Sequence, residues 1–155
     1  MNLLLKHPGW SSCPFTPDPE ALEYAGGWVT VGKNTFIFRK AKITPKKTGQ
    51  FVSLWCRDET SGSTRPFHES EVDHGVIIYV ADPGQDGLFL FSKKTLIDQK
   101  IIRDISGQSP GKRGFRLYPS WDIPTNSQAR KSQAWQLQSF HSETTFEAVV
   151  SKLNH

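Results

Sequence analysis

Cysteine is scarce in this chain of 155 residues, in which Cys13 and Cys56 are the only two. They form no CxxC pair, so the sequence contains neither a disulfide framework nor a zinc site of that type. Long apolar runs are also missing. The opening Leu3–Leu5 ends at Lys6, whereas a signal peptide needs about 7–15 apolar residues and a membrane span roughly 20. We therefore expect a cytoplasmic protein with no membrane contact.

Motifs of nucleotide hydrolysis and nucleophilic catalysis are absent as well. The chain has neither the phosphate-binding pattern GxxxxGK[ST] nor the GxSxG elbow that carries a nucleophilic serine. Histidine and carboxylates do cluster at residues 68–74, but their spacing fits no defined zinc motif. A solvated acidic loop is the favoured interpretation of that cluster, and no cofactor is expected.

The pattern of elements predicts one domain over residues 1–155, of class α/β (α+β) with a mixed β-sheet flanked by helices. Residues 1–19 are expected to form an extended N-terminal arm. Its proline-rich part, residues 6–19, predicts a loop. Residues 142–155 predict a C-terminal helix. Its apolar side chains fall at helical spacing, namely Phe146, Val149, Val150 and Leu153.

Between these ends the chain alternates as strands do. Residues 28–43 predict a hairpin in which Phe36 and Phe38 share one face, while Ile37 lies on the other. Residues 50–57 predict a third strand, and the apolar residues 76–80 and 88–91 predict strands covered on both faces. Capping residues predict three helices, with Asp18 before 19–25, Ser92 before 93–100, and Thr125 or Asn126 before a helix reaching about Phe140.

Charges of opposite sign are segregated along the chain. Residues 33–57 hold seven basic and no acidic residues, residues 58–86 hold seven acidic residues with Arg65 as the one base, and residues 93–116 hold seven basic and two acidic residues. Segregation creates a surface potential that the net charge of +4 hides. A basic strip with interleaved rings is typical of nucleic-acid binding. The alternative is that each strand has a solvated face bearing lysines.

A second basic segment, residues 111–116, combines two glycines with three cations. Glycine lets a backbone approach an anion closely, and the cations supply charge-assisted hydrogen bonds. A basic turn without a binding role is the alternative interpretation.

Residues 38–57, FRKAKITPKKTGQFVSLWCR, resemble the signature of the MepB-like family, FRxAKxTPxKxGQFVxxWKR, with Cys56 where members usually have Lys. Residues 23–24, 87–91 and 111–122 also resemble the family, as does the polar helix through Lys131. The resemblance covers roughly residues 23–140. It implies a restriction-endonuclease-like architecture, in which a helix Glu, a strand Asp and a Glu-x-Lys pair hold Mg²⁺ for phosphodiester hydrolysis.

This catalytic set is incomplete in the sequence. Glu23 could be the helix acid and Lys42 the lysine, but Lys40 stands where the acid of Glu-x-Lys is expected. Cations in that place repel Mg²⁺ and attract phosphate. The resemblance therefore favours a protein that grips nucleic acid without cutting it.

We expect binding of DNA or RNA without sequence specificity, because phosphate contacts position a protein without reading bases. Ten residues are expected to bind, eight of them cations from the two basic segments: Arg39, Lys42, Lys46, Lys47, Gln50, Trp55, Arg57, Lys112, Arg113 and Arg116. Trp121 is an alternative to Trp55 as the aromatic ring beside the strand. Two alternatives stay open. One is a divergent Mg²⁺-dependent nuclease that uses Glu23, Lys42 and other carboxylates such as Glu69 or Asp73. The other is a domain that binds a different anion.

Overall fold

The structure, a computed structural model, describes residues 10–142 and 149–151. The described part of the chain contains the helical residues 149–151 and thirteen further elements: β1 (Phe15–Pro17), β2 (Gly27–Val31), β3 (Asn34–Lys40), β4 (Lys42–Ile43), β5 (Gln50–Ser53), β6 (Cys56–Arg57), β7 (Thr64–Arg65), β8 (Gly75–Asp82), β9 (Gln85–Ser92), α1 (Lys93–Asp98), β10 (Gly114–Leu117), α2 (Ser127–Leu137) and β11 (Phe140–His141). Three short 3₁₀ helices accompany them, at Trp10–Ser12, Pro19–Tyr24 and Glu69–Glu71.

The largest sheet has six strands in the order β1-β2-β3-β8-β9-β11. The β3–β8 pair is parallel and the other neighbours are antiparallel, so the sheet is mixed. Strands β8 and β9 were predicted to be covered on both faces, and this is confirmed because adjacent residues are fully buried in each strand, Val76 and Ile77 in β8 and Leu88 and Phe89 in β9. Aromatic and β-branched residues favour such strands. The protein is a single domain of mixed α+β class, and the restriction-endonuclease-like architecture stays a prediction.

The two faces of this sheet carry separate apolar cores, as the alternation along β3 predicted. Ile37 belongs to the first core, which also contains buried residues of β5, β10 and α1. Phe36 and Phe38 belong to the second core, which is covered by Trp10 near one end of the chain and Val149 near the other. The small sheet and α1 thus pack on one face, and segments near both chain ends pack on the opposite face.

The chain ends partly correct the prediction. Within the arm predicted as loop, residues 10–12 form a 3₁₀ helix and β1 is an edge strand whose Thr16 pairs with Trp28. Proline excludes a central strand but is tolerated at an edge, where one side of the strand needs no partner. Residues 149–151 are helical and Val149 is fully buried. Residues 1–9, 143–148 and 152–155 lie outside the described residues, and so do the predicted contacts of Phe146 and Leu153.

Two predicted strands are each divided between sheets. The strand expected to end at Ile43 leaves the main sheet at Ala41, whose N–H donates to the Tyr79 carbonyl oxygen at 3.0 Å. Strand β4 then joins a second, three-stranded sheet ordered β10-β5-β4. The strand expected over residues 50–57 is broken at residues 54–55, and β6 pairs with β7 instead. Alternation reports which side chains are buried and does not report which strand lies alongside.

The predicted helix starts are confirmed. The side chains of Ser92 and Asn126 each accept a hydrogen bond from the first turn of α1 and α2. Asp18 caps the helix that follows it, but that helix is 3₁₀, not α, and it ends with Ala25 in the left-handed region at φ 49°. No helix in the described residues is long and apolar enough to cross a membrane.

Candidate nucleic-acid interface

Arg39, predicted to contact phosphate at the surface, is an interior residue that is 1% exposed. Its Nη2 lies 3.5 Å from Asp18 Oδ2, and its Nη1 donates to the Phe38 carbonyl oxygen at 2.9 Å. Burial lowers the pKa of Arg39, and the neighbouring Asp18 opposes that shift. Because a buried charge needs a partner, Arg39 serves the fold and is not available to a ligand.

Glycine at position 26 makes room for this ion pair. A Cβ atom there would lie 2.7 Å from Arg39 Nη1 and 2.5 Å from the Ala21 Cβ. These separations are too short for any larger residue without displacement of the arginine. The Gly26-Gly27 pair after the first helix is therefore required for close packing around the guanidinium group.

Two further cations of the predicted strip are paired with the same 3₁₀ helix. Lys42 Nζ lies 2.7 Å from Glu23 Oε1, and Arg57 donates to both carboxylate oxygens of Glu20 at 3.1 and 3.2 Å. The hydrogen bond from Arg57 lowers the pKa of Glu20. Segment Asp18–Glu23 thus neutralises three cations that the sequence left without nearby acids.

The loop of residues 111–116 is divided between structural and open roles. Arg113 is tied to β7, because its Nε and Nη2 donate to the Thr64 carbonyl oxygen at 3.2 and 3.0 Å. Lys112 is exposed, and among the described residues it has no ion-pair partner.

The Trp55 ring, predicted to contact nucleic acid, lies beside a cation of its own chain. The guanidinium of Arg57 lies 5.6 Å from the Trp55 ring centroid, so that ring is already partly covered.

The outer face of the three-stranded sheet carries a ring between two cations. Phe51 is directly opposite Lys42 on β4 and Arg116 on β10, and opposite residues of antiparallel strands project to the same face. The half-buried Phe51 ring extends across Gly114, where a Cβ atom would lie 2.6 Å from it. Lysine or arginine beside an aromatic ring suits a nucleic-acid backbone with its bases.

A groove of about 560 Å³, the basic groove, lies between β10 and α2. Lys112, Arg116 and Lys131 line it with polar side chains that include Asn126 and Gln128, and none of its described lining residues is acidic. Lys112 and Lys131 are both exposed. The groove therefore collects positive charge that nothing in its described lining neutralises.

Residues 44–49 continue this surface. Arg116 Nη1 donates to Thr44 Oγ1 at 2.8 Å and to the Thr48 carbonyl oxygen at 3.3 Å, which fixes the loop beside β10. Lys46 and Lys47 are exposed on the loop, and neither forms an ion pair within the described part of the chain. Of the predicted set, Arg116 therefore lies in the groove with Lys112 and also holds the loop that carries Lys46 and Lys47.

Helix α2 is held against β10 by one buried amide. Gln136 Nε2 donates to the Arg116 carbonyl oxygen at 2.9 Å, and its Oε1 accepts from the Tyr118 N–H at 2.9 Å. The side chain thereby satisfies backbone groups on the open edge of β10, as another strand would. This contact sets the position of Lys131 relative to Arg116 across the groove.

Gln50, also predicted as a binding residue, is only 3% exposed and lies beneath the sheet face that carries Phe51. It lines a second cleft of about 370 Å³, here called the Trp121 cleft, together with Lys47, Asp82, Trp121 and Asp122. Burial, followed by the charge of Asp82, raises the pKa of Asp122. Three buried atoms of the lining have no hydrogen-bond partner among the described residues, namely Gln50 Oε1, Trp121 Nε1 and Asp122 Oδ2.

The carboxylates considered for a nuclease are engaged at separate places. Glu23 binds Lys42, Glu69 Oε1 accepts from the Ile105 N–H at 2.6 Å, and Asp73 accepts from the Thr35 N–H at 3.4 Å. His68 caps the 3₁₀ helix that follows it. Over residues 10–142 and 149–151, no group of three or more His, Cys, Asp or Glu side chains could hold a metal ion.

Two contributors to the surface were missed by the sequence reasoning on site residues. Lys131 lies on α2, which is polar on most sides, so its spacing gave no signal of which face meets the groove. Phe51 belongs to the family signature but was not among the predicted binding residues. Its position could have been inferred, because Phe51 and the polar Ser53 lie on the same face of β5 and that face is partly exposed to solvent.

Comparison with known proteins agrees with the resemblance read from the motifs. The model of the MepB-like family matches residues 18–142. No curated protein matches the chain. A solved structure described as the crystal structure of MepB is similar over 83% of this chain and 84% of its own, with 30% sequence identity and a TM-score of 0.78. With more than half of its length matched, the chain belongs to the MepB-like family.

Proposed function

We propose that the protein binds DNA or RNA through the basic groove and the adjoining loop of residues 44–49. The observation that carries the proposal is that Lys112, Arg116 and Lys131 line one groove whose described lining contains no acidic residue. Arg116 also holds the loop that carries the exposed Lys46 and Lys47, and none of these five cations has an ion-pair partner among the described residues. Unpaired cations release counterions from a nucleic-acid backbone when they contact phosphates, and this release drives binding.

Phosphate contacts alone give affinity without sequence preference. The Phe51 ring beside Arg116 adds an apolar surface on which a base of any identity can stack. Binding without cleavage is part of the proposal, because Lys40 stands where the family resemblance calls for an acid. A cytoplasmic location is also part of it, and the free thiols of Cys13 and Cys56 are compatible with a reducing compartment.

The test is fluorescence anisotropy with labelled single-stranded DNA, duplex DNA and RNA over a series of salt concentrations. The double variant Lys112→Ala/Lys131→Ala should weaken binding by about tenfold or more. It should also reduce the log–log salt slope by about two, roughly one for each lysine–phosphate contact. Labelled strands that are incubated with Mg²⁺ should stay intact.

The matched control is Lys33→Ala/Lys94→Ala, which removes the same charge from exposed positions that do not line the groove. It should bind nearly as the parent does. Equal losses in the two double variants would mean that net charge and not the groove governs binding. Binding of inorganic phosphate without any binding of nucleic acid would favour the small-anion alternative, and Mg²⁺-dependent products would favour the nuclease.

A further inference from the structure

Buried polar atoms without a partner are concentrated in one place. Four side-chain atoms in the described part of the chain are buried and unpaired, and three of them belong to residues that line the Trp121 cleft. The fourth is Arg39 Nε, inside the ion pair with Asp18. Because a buried donor or acceptor that lacks a partner destabilises a fold, three such atoms around one cleft indicate a bound group that satisfies them.

Gln50 is the clearest of the three. It is 97% buried, since 3% of it is exposed. Its Nε2 donates to the Ala81 carbonyl oxygen at 3.0 Å, and because that oxygen can only accept, the amide orientation is fixed by the contact. The acceptor Oε1 is therefore the atom left unpaired, in a side chain that lines the cleft.

Two exposed apolar side chains stand among the mostly polar residues that line the cleft. Ile43 and Ile123 line it and are 55% and 83% exposed, which makes them two of the five large apolar residues exposed in the described chain. The volume of about 370 Å³ lies within the range of roughly 300–1,000 Å³ for small-molecule sites. The two isoleucine side chains and the Trp121 ring, beside a few unpaired polar atoms, suit a flat organic ring with a polar edge.

The chemistry of the unpaired atoms selects the ring. Trp121 Nε1 is a donor, whereas Gln50 Oε1 and Asp122 Oδ2 are acceptors. A metal ion would leave the indole N–H without a partner, and the cleft supplies only two carboxylates, Asp82 and Asp122. The Watson–Crick edge of guanine offers an acceptor at O6 beside donors at N1 and N2, which complements this set. Thymine and uracil offer the reverse, two acceptors and one donor.

We propose that the Trp121 cleft receives one unstacked guanine and prefers it to thymine or uracil. The indole N–H of Trp121 donates to O6, while Asp122 and Gln50 accept from N1–H and N2–H. Lys47 lies both on the loop of residues 44–49 and in the lining of the Trp121 cleft. A nucleic-acid strand bound along that loop can therefore place a base in the cleft. For a polymer ligand this inference rests on the proposed function, to which it adds a preference for one base at one position.

The test compares a labelled thymidine oligonucleotide with the same strand carrying one central guanine, and with a third strand carrying inosine instead. Guanine should tighten binding by about tenfold, because a buried group left unpaired weakens binding by roughly that factor or more. Inosine lacks the exocyclic amine and should recover only part of the gain. The salt slope should be the same for all three strands, because their phosphates are identical.

Two variants localise the preference. Trp121→Phe keeps a ring but removes the N–H, and Asp122→Asn leaves one acceptor oxygen where the carboxylate offered two. Both should reduce the guanine preference, measured as the ratio of the affinities for the guanine and thymidine strands, to about threefold or less. The controls are Trp55→Phe, a ring outside the cleft, and Asp98→Asn, a surface carboxylate. They should leave the preference intact.

A free nucleotide is the second source of the same chemistry, so dGMP and dTMP are titrated alone, with Trp fluorescence as the readout. A dGMP response that is lost in Asp122→Asn, which keeps the Trp121 fluorophore, without any binding of strands, would support the cleft as a mononucleotide site and overturn the proposed function. Strands bound equally well with and without guanine would overturn the guanine proposal and leave the proposed function standing. No response to strands or to dGMP would overturn both.

Discussion

The cations of residues 39–57 and those of the basic groove have the same appearance in the sequence but opposite positions in the fold. Arg39, Lys42 and Arg57 each meet an acid from segment Asp18–Glu23. Lys112, Arg116 and Lys131 line a groove whose described lining contains no acid. The first set therefore joins one segment of the chain to another, and the second set is open to an anionic ligand.

A run of like charges is therefore available to a ligand only where the fold leaves it unpaired. Position in the sequence hides this, because Arg57 and Glu20 are 37 residues apart and yet share two hydrogen bonds. Four variants test this distinction between paired and unpaired charges.

Asp18→Ala should have the largest effect, on stability. It leaves the guanidinium of Arg39 buried without its acid and removes the helix cap. Breaking a buried pair on one side costs about 3–5 kcal/mol in the free energy of unfolding, to be measured by urea denaturation. The nucleic-acid affinity of the folded fraction should not change, because Arg39 is interior. Asp98→Ala on the exposed Lys94 pair should lose less than about 1 kcal/mol, and similar losses in both variants would contradict the assignment.

Lys46→Ala/Lys47→Ala tests the unpaired set. Both lysines are exposed on the loop that Arg116 fixes, so affinity should fall similarly for all sequences and the salt slope should flatten by up to about two. Lys46 has φ 69°, and alanine keeps the same Cβ, so the backbone strain is unchanged. The melting temperature should barely move, because surface charges contribute little to stability. Unaltered salt dependence would remove this loop from the interface.

Glu20→Gln/Glu23→Gln tests the paired set from the other side. Removing both carboxylates frees Arg57 and Lys42, so nucleic-acid binding should tighten by several-fold and the salt slope should steepen by up to about two. Anisotropy with the same strands measures both quantities. Glu59→Gln/Asp98→Asn makes the same charge change elsewhere and serves as the control. A gain no larger than the control's would mean that the paired cations lie outside the path of the ligand.

Asp122→Asn should have the smallest effect, a rise in melting temperature of up to a few degrees near neutral pH. Burial and the charge of Asp82 raise the pKa of Asp122, so this carboxyl stabilises the fold below its ordinary pKa of about 4. That contribution is lost as the pH rises through the raised pKa. The asparagine carries no charge to desolvate, although Lys47 on the same cleft offsets part of the gain. The difference between the two melting curves should vanish below about pH 4, and a constant difference would exclude an electrostatic origin.

Elements that depend on neighbours in sequence could be predicted from the residues alone. Alternation assigned Phe36 and Phe38 to one core and Ile37 to the other. Short-range hydrogen bonds located Ser92 and Asn126 at the starts of α1 and α2. Of the site, the open cations on residues 44–49 and 111–116 were foreseen in part, because glycine and exposed lysine mark loops.

What could not be predicted depends on partners that are distant in sequence. Asp18 reaches Arg39 across 21 residues, and no local pattern reports such a pairing. Gln50 was predicted as a surface residue, but the register with Ile43 and Leu117 directs it beneath the small sheet. The change of sheet at Ala41 is also decided by which strands lie alongside.

The closure of the second core by Trp10 and Val149 has a consequence for synthesis on the ribosome. Strands β1 to β9 have all been made by Ser92, but the face that carries Phe36 and Phe38 stays incomplete until Val149 is added. At about 5–20 residues per second, a nascent chain would expose this aromatic face for roughly 3–11 seconds. During that interval a chaperone can bind the exposed apolar surface. A chain truncated before Val149 would keep this surface exposed and would be prone to aggregate.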